Sequence, residues 1–277
     1  MQRFAVFGHP INHSFSPIMH EASFRAIGFE GVYERRDVPP NQLKAALQQA
    51  EAEGFLGVNL TIPHKQLAVP MMDELTPEAA RLGAVNTVLF RDGRWLGHNT
   101  DGLGFLLAVK AKLGFEPQGK RAAVIGCGGA GRAIALSLAG AGIADMVLLD
   151  VDAGRAQALA ETLHRDYAVA AQAADHAALC RADLVVQCSP SGLAVCPEPA
   201  AVAADFRPGQ VLYDIVIPPG QPQTPTMREA ALAGVRSANG IRMLVEQGAL
   251  SFRFWTGLEA NREAMERAVE EGMVSHD

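Results

Sequence analysis

The sequence predicts an α/β protein of two domains, and three observations carry that prediction. The chain has 277 residues, 49% of them apolar, more than a single domain of about 100–200 residues needs for its core. Short apolar runs alternate along it with amphipathic stretches, as strand and helix follow one another around a largely parallel sheet. The alternation stops at EPQGK, residues 116–120, and restarts at RAAVIG, which places a domain boundary near residues 102–118.

The elements follow in order. RFAVFG (3–8) is an apolar run closed by glycine and reads as a strand. SPIMHEASFRAIG (16–28) is amphipathic at helical spacing, and Ser16 places a capping hydroxyl before Pro17 in the first turn. VYERRDV (32–38) reads as a strand, PNQLKAALQQAEAEG (40–54) as a helix entered at Pro40-Asn41, and FLGVNLTI (55–62) as a buried strand. Thr76-Pro77-Glu78 starts another helix, and GAVNTVLF (83–90) another strand, with the turn RDGRW (91–95) leading to its neighbour. A helix over 102–113 precedes the connector. Strands are then expected at 121–125, 145–150, 183–188 and 210–217 with helices between them, and the Ala/Pro-rich 196–209 reads as loop or irregular helix. The stretch 241–272 reads as two helices broken at Thr256-Gly257.

Composition narrows the function. The net charge is −6 with both signs mixed along the chain, so no basic stripe exists to neutralise a phosphate backbone, and a nucleic-acid partner is not expected. No apolar run approaches the roughly 18 residues of a membrane span, and MQRFAVFGHP is too short and too early interrupted for a secretory signal. The four cysteines form no Cys-x-x-Cys pair and the eight histidines no metal-ligand spacing. A cytoplasmic protein without a metal site is expected.

The strongest single motif lies in AAVIGCGGAGRAIALSLAGAGIADMVLLD (122–150). Gly126-x-Gly128-x-x-Gly131 follows a strand and opens a helix, so its glycines permit a tight turn and close approach of backbone to a pyrophosphate, which the helix N-terminus attracts. Asp150 ends the next strand, 19 residues after Gly131, where the dinucleotide fingerprint wants an acid for the ribose hydroxyls. Gly126, Gly128, Gly129, Ala130 and Gly131 are therefore the expected cradle of a Rossmann domain.

Nicotinamide chemistry leaves the protein to supply a proton donor or acceptor and to orient the substrate. The candidate segments are HSFSP (13–17), NLTIPHK (59–65), AVNT (84–87), NTDG (99–102) and MLVEQG (243–248). GHPINHSFSP resembles Gly-x-Pro-Ile-x-His-Ser-x-Ser-Pro, and GVNLTIPHK resembles Gly-x-Asn-Val-Thr-x-Pro-x-Lys, both motifs of the shikimate and quinate dehydrogenase family. GAVNTV, GHNTDGLGF, the glycine loop, LYDIV and MLVEQGALSFRFWTG match further motifs of that family in the same order, over nearly the whole chain.

The resemblance implies a dehydrogenase that oxidises shikimate reversibly to 3-dehydroshikimate, in aromatic amino acid biosynthesis or in shikimate and quinate catabolism. It implies residues 1–101 plus 239–277 as substrate domain and 102–238 as cofactor domain. Lys65 and Asp101 match the catalytic pair, and Ser14 and Ser16 the hydroxyls that hold the substrate carboxylate. Asn86, Gln247 and Thr61 match other substrate contacts, with Asn59 on the same strand, and Ser189 lies in the loop near the cofactor. The types suit a small ring bearing three hydroxyls and a carboxylate, which calls for neutral hydrogen-bonding groups. A lysine beside the reacting hydroxyl can donate to a developing oxyanion, and an aspartate can hold the ammonium in place. His13 and His64 read as orienting or structural, and Asp101 as able also to cap the helix that follows it.

Two departures stand out: Ile217 where the family commonly has tyrosine, and Asn239-Gly240 where Asp-Gly is usual. Ser16, where quinate-using relatives often carry threonine, points to shikimate over quinate. The alternatives are a quinate/shikimate dehydrogenase of broader use, or a dinucleotide-binding module without turnover. Asp150-Val151-Asp152 replaces the Asn-Arg-Thr of phosphate-accepting members. Aspartates there accept from ribose hydroxyls and repel a 2′-phosphate, and Arg155 lies further on, so NAD is expected over NADP, set by Asp150 and then Asp152. Oligomeric state is not legible.

Overall fold

The computed structural model describes residues 1–217, 220, 221 and 223–274. It divides into two units, Met1–Gly104 with Leu244–Gly272, and Phe105–Met243 with the residues from Met273.

In the first unit, β1 (Gln2–Gly8) ends in five consecutive buried residues because it is flanked on both sides, by β2 (Gly31–Asp37) and β3 (Phe55–Leu60), both parallel to it. Between β1 and β2 runs α1 (Ser16–Ile27), stopped by Gly28 in the left-handed region at φ 66°. The expected capping role of Ser16 is not found: the helix begins at Ser16, its N-cap is Phe15, and the Ser14 hydroxyl accepts from the Ser16 amide at 3.2 Å instead. A 3-10 turn at Pro40–Gln42 leads into α2 (Leu43–Ala52), which buries Leu43, Leu47 and Ala50 against the sheet. After β3 come a one-turn helix, α3 (His64–Leu67), the short β4 (Glu74–Leu75) and α4 (Pro77–Leu82), whose N-cap Thr76 accepts from the Ala79 amide at 3.3 Å.

β5 (Thr87–Arg91) and β6 (Arg94–His98) form an antiparallel hairpin. Its two-residue turn has positive φ at Asp92 and Gly93, the combination that matches strand twist and favours Asp-Gly. The sheet order is β2-β1-β3-β5-β6-β4. The chain leaves this unit inside α5 (Asp101–Leu113) and returns to it inside α9.

The second unit alternates strand and helix: β7 (Arg121–Ile125), α6 (Gly129–Gly140), β8 (Asp145–Leu149), α7 (Ala153–Tyr167), β9 (Ala170–Ala173), β10 (Leu184–Gln187), β11 (Val211–Asp214), α8 (Pro225–Leu232) and β12 (Arg236–Ala238). Every strand pair in its sheet is parallel, in the order β12-β11-β10-β7-β8-β9. Read from β9, that is the doubly wound 3-2-1-4-5-6 arrangement, whose direction of winding reverses between β7 and β10. The edge strands β9 and β12 are AAQA and RSA. They lack β-branched residues and escaped the sequence pattern, and pairing with an inner strand alone makes them extended. α9 (Ile241–Thr256) and α10 (Arg262–Val274) close the chain, separated at Gly257 with φ 75°. No helix among the described residues is long and apolar enough to cross a membrane.

Candidate active site

The first unit gathers its polar residues where β3 and β5 end and α5 begins. Lys65, on α3 just beyond the end of β3, places Nζ 2.8 Å from Oδ2 of Asp101, the first residue of α5. The Asp101 amide donates to the Asn99 side chain at 3.0 Å, and Asn99 donates to the Ala84 carbonyl at 2.9 Å, so the helix entrance is tied to the sheet. Asn86, 2% exposed, donates from Nδ2 to the second Asp101 oxygen at 3.0 Å and to the Thr100 hydroxyl at 2.8 Å. Its Oδ1 accepts from the Thr100 amide at 2.9 Å and the Thr87 hydroxyl at 2.8 Å. Gln247 reaches the same Asn86 amide at 3.5 Å, at the limit of a hydrogen bond.

Behind this group lie residues the sequence did not single out. Asn59, which the sequence placed only by its strand, donates to the Asn86 carbonyl, to Thr87 Oγ1 and to Ser251 Oγ at 3.0–3.1 Å and accepts from the Tyr33 hydroxyl at 2.7 Å. Ser251 donates to the Gln247 carbonyl at 2.9 Å and contacts both threonine hydroxyls. A serine four residues after Gln247 on one helix was the available signal. The Ser16 hydroxyl neighbours the Tyr33 phenol, and burial pushes that phenol well above its ordinary range, so it is a neutral donor. Lys65, Asp101, Asn86 and Gln247 are thus joined directly, and Ser14 and Ser16 adjoin them through Tyr33 and Asn59. Thr61 lies in the turn between β3 and Lys65, its amide on the Phe7 carbonyl at 2.9 Å and its carbonyl accepting from His64. His64 itself is buried, and that burial pushes its pKa down.

The second unit carries the glycine loop at the reversal of winding. Gly126 has φ 94°, and a Cβ on it would lie 2.7 Å from the Ser189 amide, so the loops after β7 and β10 are in contact there. A Cβ on Gly131 would come 1.7 Å from the Gly126 carbonyl oxygen. Gly128 and Gly129 differ, since a Cβ on either meets nothing within 4 Å. The protein's own packing therefore does not require those two glycines, while the open space and the first-turn N–H groups of α6 fit a pyrophosphate. The Ser189 loop is shaped by buried Gln187, which accepts from the Ser189 amide at 2.5 Å and donates to the Ser189 and Ser191 carbonyls, each at 3.0 Å. The two departures sit here as well. A Cβ on Gly240 would lie 2.1 Å from the Ile215 carbonyl oxygen and 3.1 Å from Ile217, and Asn239 accepts from the Ile241 amide at the start of α9, a bond aspartate would make equally.

Residues 6–88 match the family model of the shikimate dehydrogenase substrate binding domain, residues 108–235 that of shikimate / quinate 5-dehydrogenase, and residues 240–270 that of the shikimate 5'-dehydrogenase C-terminal domain. The shikimate dehydrogenase (NADP(+)) of Methanopyrus kandleri is 41% identical over 272 residues, 95% of this chain and 93% of its own. The enzyme of the same name from Moorella thermoacetica is 42% identical over 276 residues, 97% of this chain and 92% of its own. Among solved structures, shikimate 5-dehydrogenase from Thermus thermophilus in complex with NADP(H) and shikimate is similar at TM-score 0.87 and 40% identity, over 98% of this chain and 99% of that one.

These relatives overturn the expectation of NAD over NADP. Eight curated relatives at 35–42% identity all carry NADP(+) in their names. The structure shows why the carboxylates misled. Asp150 already accepts from the Cys127 amide at 2.7 Å with one oxygen and from the Asp152 amide at 2.9 Å with the other. Asp152 is the N-cap of α7, accepting from the Gly154 amide at 3.0 Å, and pairs with Arg155 at 3.3 Å. Both serve backbone N–H groups of the protein, and their charge is partly balanced where it was expected to repel a phosphate.

Proposed function

The chain belongs to the shikimate dehydrogenase family, and on that premise we propose that it interconverts shikimate and 3-dehydroshikimate with NADP(H), using Lys65 and Asp101 as its catalytic pair. The observation that carries the residue assignment is the 2.8 Å contact between Lys65 Nζ and an Asp101 carboxylate whose other oxygen is held by Asn86.

A bound nicotinamide cofactor supplies or takes the hydride; the protein handles the proton. In the reducing direction the Lys65 ammonium donates to the carbonyl oxygen as negative charge develops there and delivers the proton that completes the alcohol. In the oxidising direction it takes that proton back. Asp101 keeps the ammonium aimed at the oxygen, and Asn86 prevents the carboxylate from turning away. Ser14 and Ser16 hold the substrate carboxylate, and Asn86, Thr61 and Gln247 meet the ring hydroxyls. These neutral donors and acceptors discriminate against rings lacking the hydroxyls, because a buried polar group left unpaired is costly.

In the second unit, the backbone of Gly126, Gly128, Gly129, Ala130 and Gly131 cradles the pyrophosphate, with the Ser189 loop beside it. Arg155, in the first turn of α7, is available to a 2′-phosphate. The partner is a small molecule, and the four cysteines are all free, as suits a reducing cytoplasm.

The test is the nicotinamide absorbance of purified protein with shikimate and NADP, with NAD in parallel. No reduction of either cofactor with shikimate or any related cyclic acid would favour a dinucleotide-binding module without turnover.

A further inference from the structure

We infer that Tyr33 is a positioning residue, holding the Lys65–Asp101 pair in its working geometry through Asn59, Thr87 and Asn86. The inference rests on the dehydrogenase reading and adds to it a residue that touches neither Lys65 nor Asp101.

The argument is one of hydrogen-bond direction. A phenol has one proton, and Tyr33 gives it to Asn59 Oδ1 at 2.7 Å. That fixes which end of the Asn59 amide faces which neighbour, so its Nδ2 points to the Asn86 carbonyl, Thr87 Oγ1 and Ser251 Oγ. With its oxygen accepting from Asn59, the Thr87 hydroxyl sends its own proton to Asn86 Oδ1 at 2.8 Å. Asn86 then turns Nδ2 toward Asp101 Oδ1 at 3.0 Å, and Asp101 Oδ2 is left to Lys65 at 2.8 Å. Each amide can be inserted two ways by shape alone, and a donor at the far end selects one orientation for the whole chain of bonds.

The setting of Tyr33 suits that task. Its ring is 3% exposed and stacks on His20 with centroids 4.3 Å apart and planes 5° from parallel. His20 is itself fully buried with neither ring nitrogen hydrogen-bonded, and burial drives its pKa down to about 3, so it packs as a neutral ring. Trp255 lies within 6.5 Å of the tyrosine ring. The ring is clamped among aromatics, and only its hydroxyl enters the polar cluster.

A double-mutant cycle on kcat and KM, with shikimate and NADP, tests the inference using Tyr33→Phe, Asn59→Ala and both together. Tyr33→Phe keeps the ring and its stack on His20. We expect kcat to fall about 10–100-fold with KM for shikimate and for NADP within about threefold of wild type, because the pair is misaligned while binding survives. In the Asn59→Ala background, adding Tyr33→Phe should change kcat by less than about threefold, since its route is already cut. A merely structural tyrosine would lower Tm and leave the kcat of the folded enzyme unchanged. Should Tyr33→Phe not fold, Asn59→Ala decides from the other end, because an unchanged kcat in it breaks the proposed route. Full additivity, or wild-type kcat in Tyr33→Phe, overturns the inference. An inactive wild type would overturn the dehydrogenase reading itself, so the two failures are distinct.

Discussion

Lys65 Nζ and Asp101 Oδ2 lie 2.8 Å apart, although 36 residues separate them in the chain. The contact forms because the turn after β3 and the start of α5 come together beside β5, whose leading residue Asn86 binds the carboxylate from the other side. An ion pair this accessible, with side chains 32% and 12% exposed, contributes little to stability. Its value is directional, since it orients an ammonium beside an open site.

Lys65→Ala is therefore expected to lower kcat by about 10³-fold or more with little loss of folding stability. Asp101→Asn should also fall steeply, because the amide no longer holds the ammonium by charge. NADPH affinity, followed by fluorescence titration, should stay within about threefold of wild type in both, since the pyrophosphate cradle lies in the other unit. Near-normal turnover in Lys65→Ala would send the proton by another route.

The glycine loop separates two kinds of glycine. Gly131→Ala places a methyl 1.7 Å from the Gly126 carbonyl oxygen, so the loop must move, and we expect both Tm and cofactor affinity to drop. Gly128→Ala places its methyl in open space at an ordinary φ of −68°. It should cost under about 1 kcal/mol of stability, yet weaken NADPH binding about tenfold or more if that space belongs to the phosphates. Equal effects of the two substitutions on Tm would contradict the distinction.

Stability should depend on pH through Asp214. Burial pushes its carboxyl up to about 6, against the opposing pull of the Thr224 hydroxyl and the Val216 amide. A raised acid pKa means that the folded state holds the proton more tightly than the unfolded chain, whose value is about 3.9. The favourable contribution is thus complete below about pH 4, is lost as pH rises through about 6, and stays lost above it. From 3.8 to about 6 is about two units, or about 3 kcal/mol. Asp214→Asn should accordingly gain about 3 kcal/mol on the wild type between pH 4 and pH 7.5 in urea unfolding. Parallel stability curves for the two proteins would refute this.

What the sequence disclosed of the site, and what it hid, follows from how the chain is folded. Lys65 was legible because Pro63 and the end of a buried strand leave it nowhere to go but the sheet's edge, and the glycine loop because its spacing encodes a local turn. Tyr33 was not legible. It pairs across β1 with Phe4, and Asn59 pairs across the same strand with Val6, so tyrosine and asparagine share a face only once the sheet order β2-β1-β3 exists. VYERRDV alone shows a tyrosine at an alternating position and no partner. Asp150 failed differently: the fingerprint locates an acid at the end of β8 without showing that backbone amides have already taken both its oxygens.

That geometry makes Asp150 the subject of the last prediction. Its Oδ2 accepts from the Cys127 amide within the glycine loop at 2.7 Å, and its Oδ1 from the Asp152 amide at 2.9 Å. The carboxylate thus fastens the phosphate loop to the end of β8, and the shape of the loop should matter to any dinucleotide. Hydrogen bonds to a charged acceptor are worth about 1.5–3 kcal/mol each, so Asp150→Ala is expected to lower kcat/KM by about tenfold or more for NADP and for NAD alike. The two losses should agree within about threefold. Asp150→Asn keeps one acceptor and should lie between the alanine variant and the wild type for both cofactors. Arg155→Ala, by contrast, should weaken NADP alone, because only a 2′-phosphate needs a cation at the start of α7. The measurement is kcat/KM for each cofactor in the four proteins at fixed shikimate. A loss confined to NAD in Asp150→Ala would mean that the carboxylate reaches the ribose after all, and that its bonds to the loop are incidental.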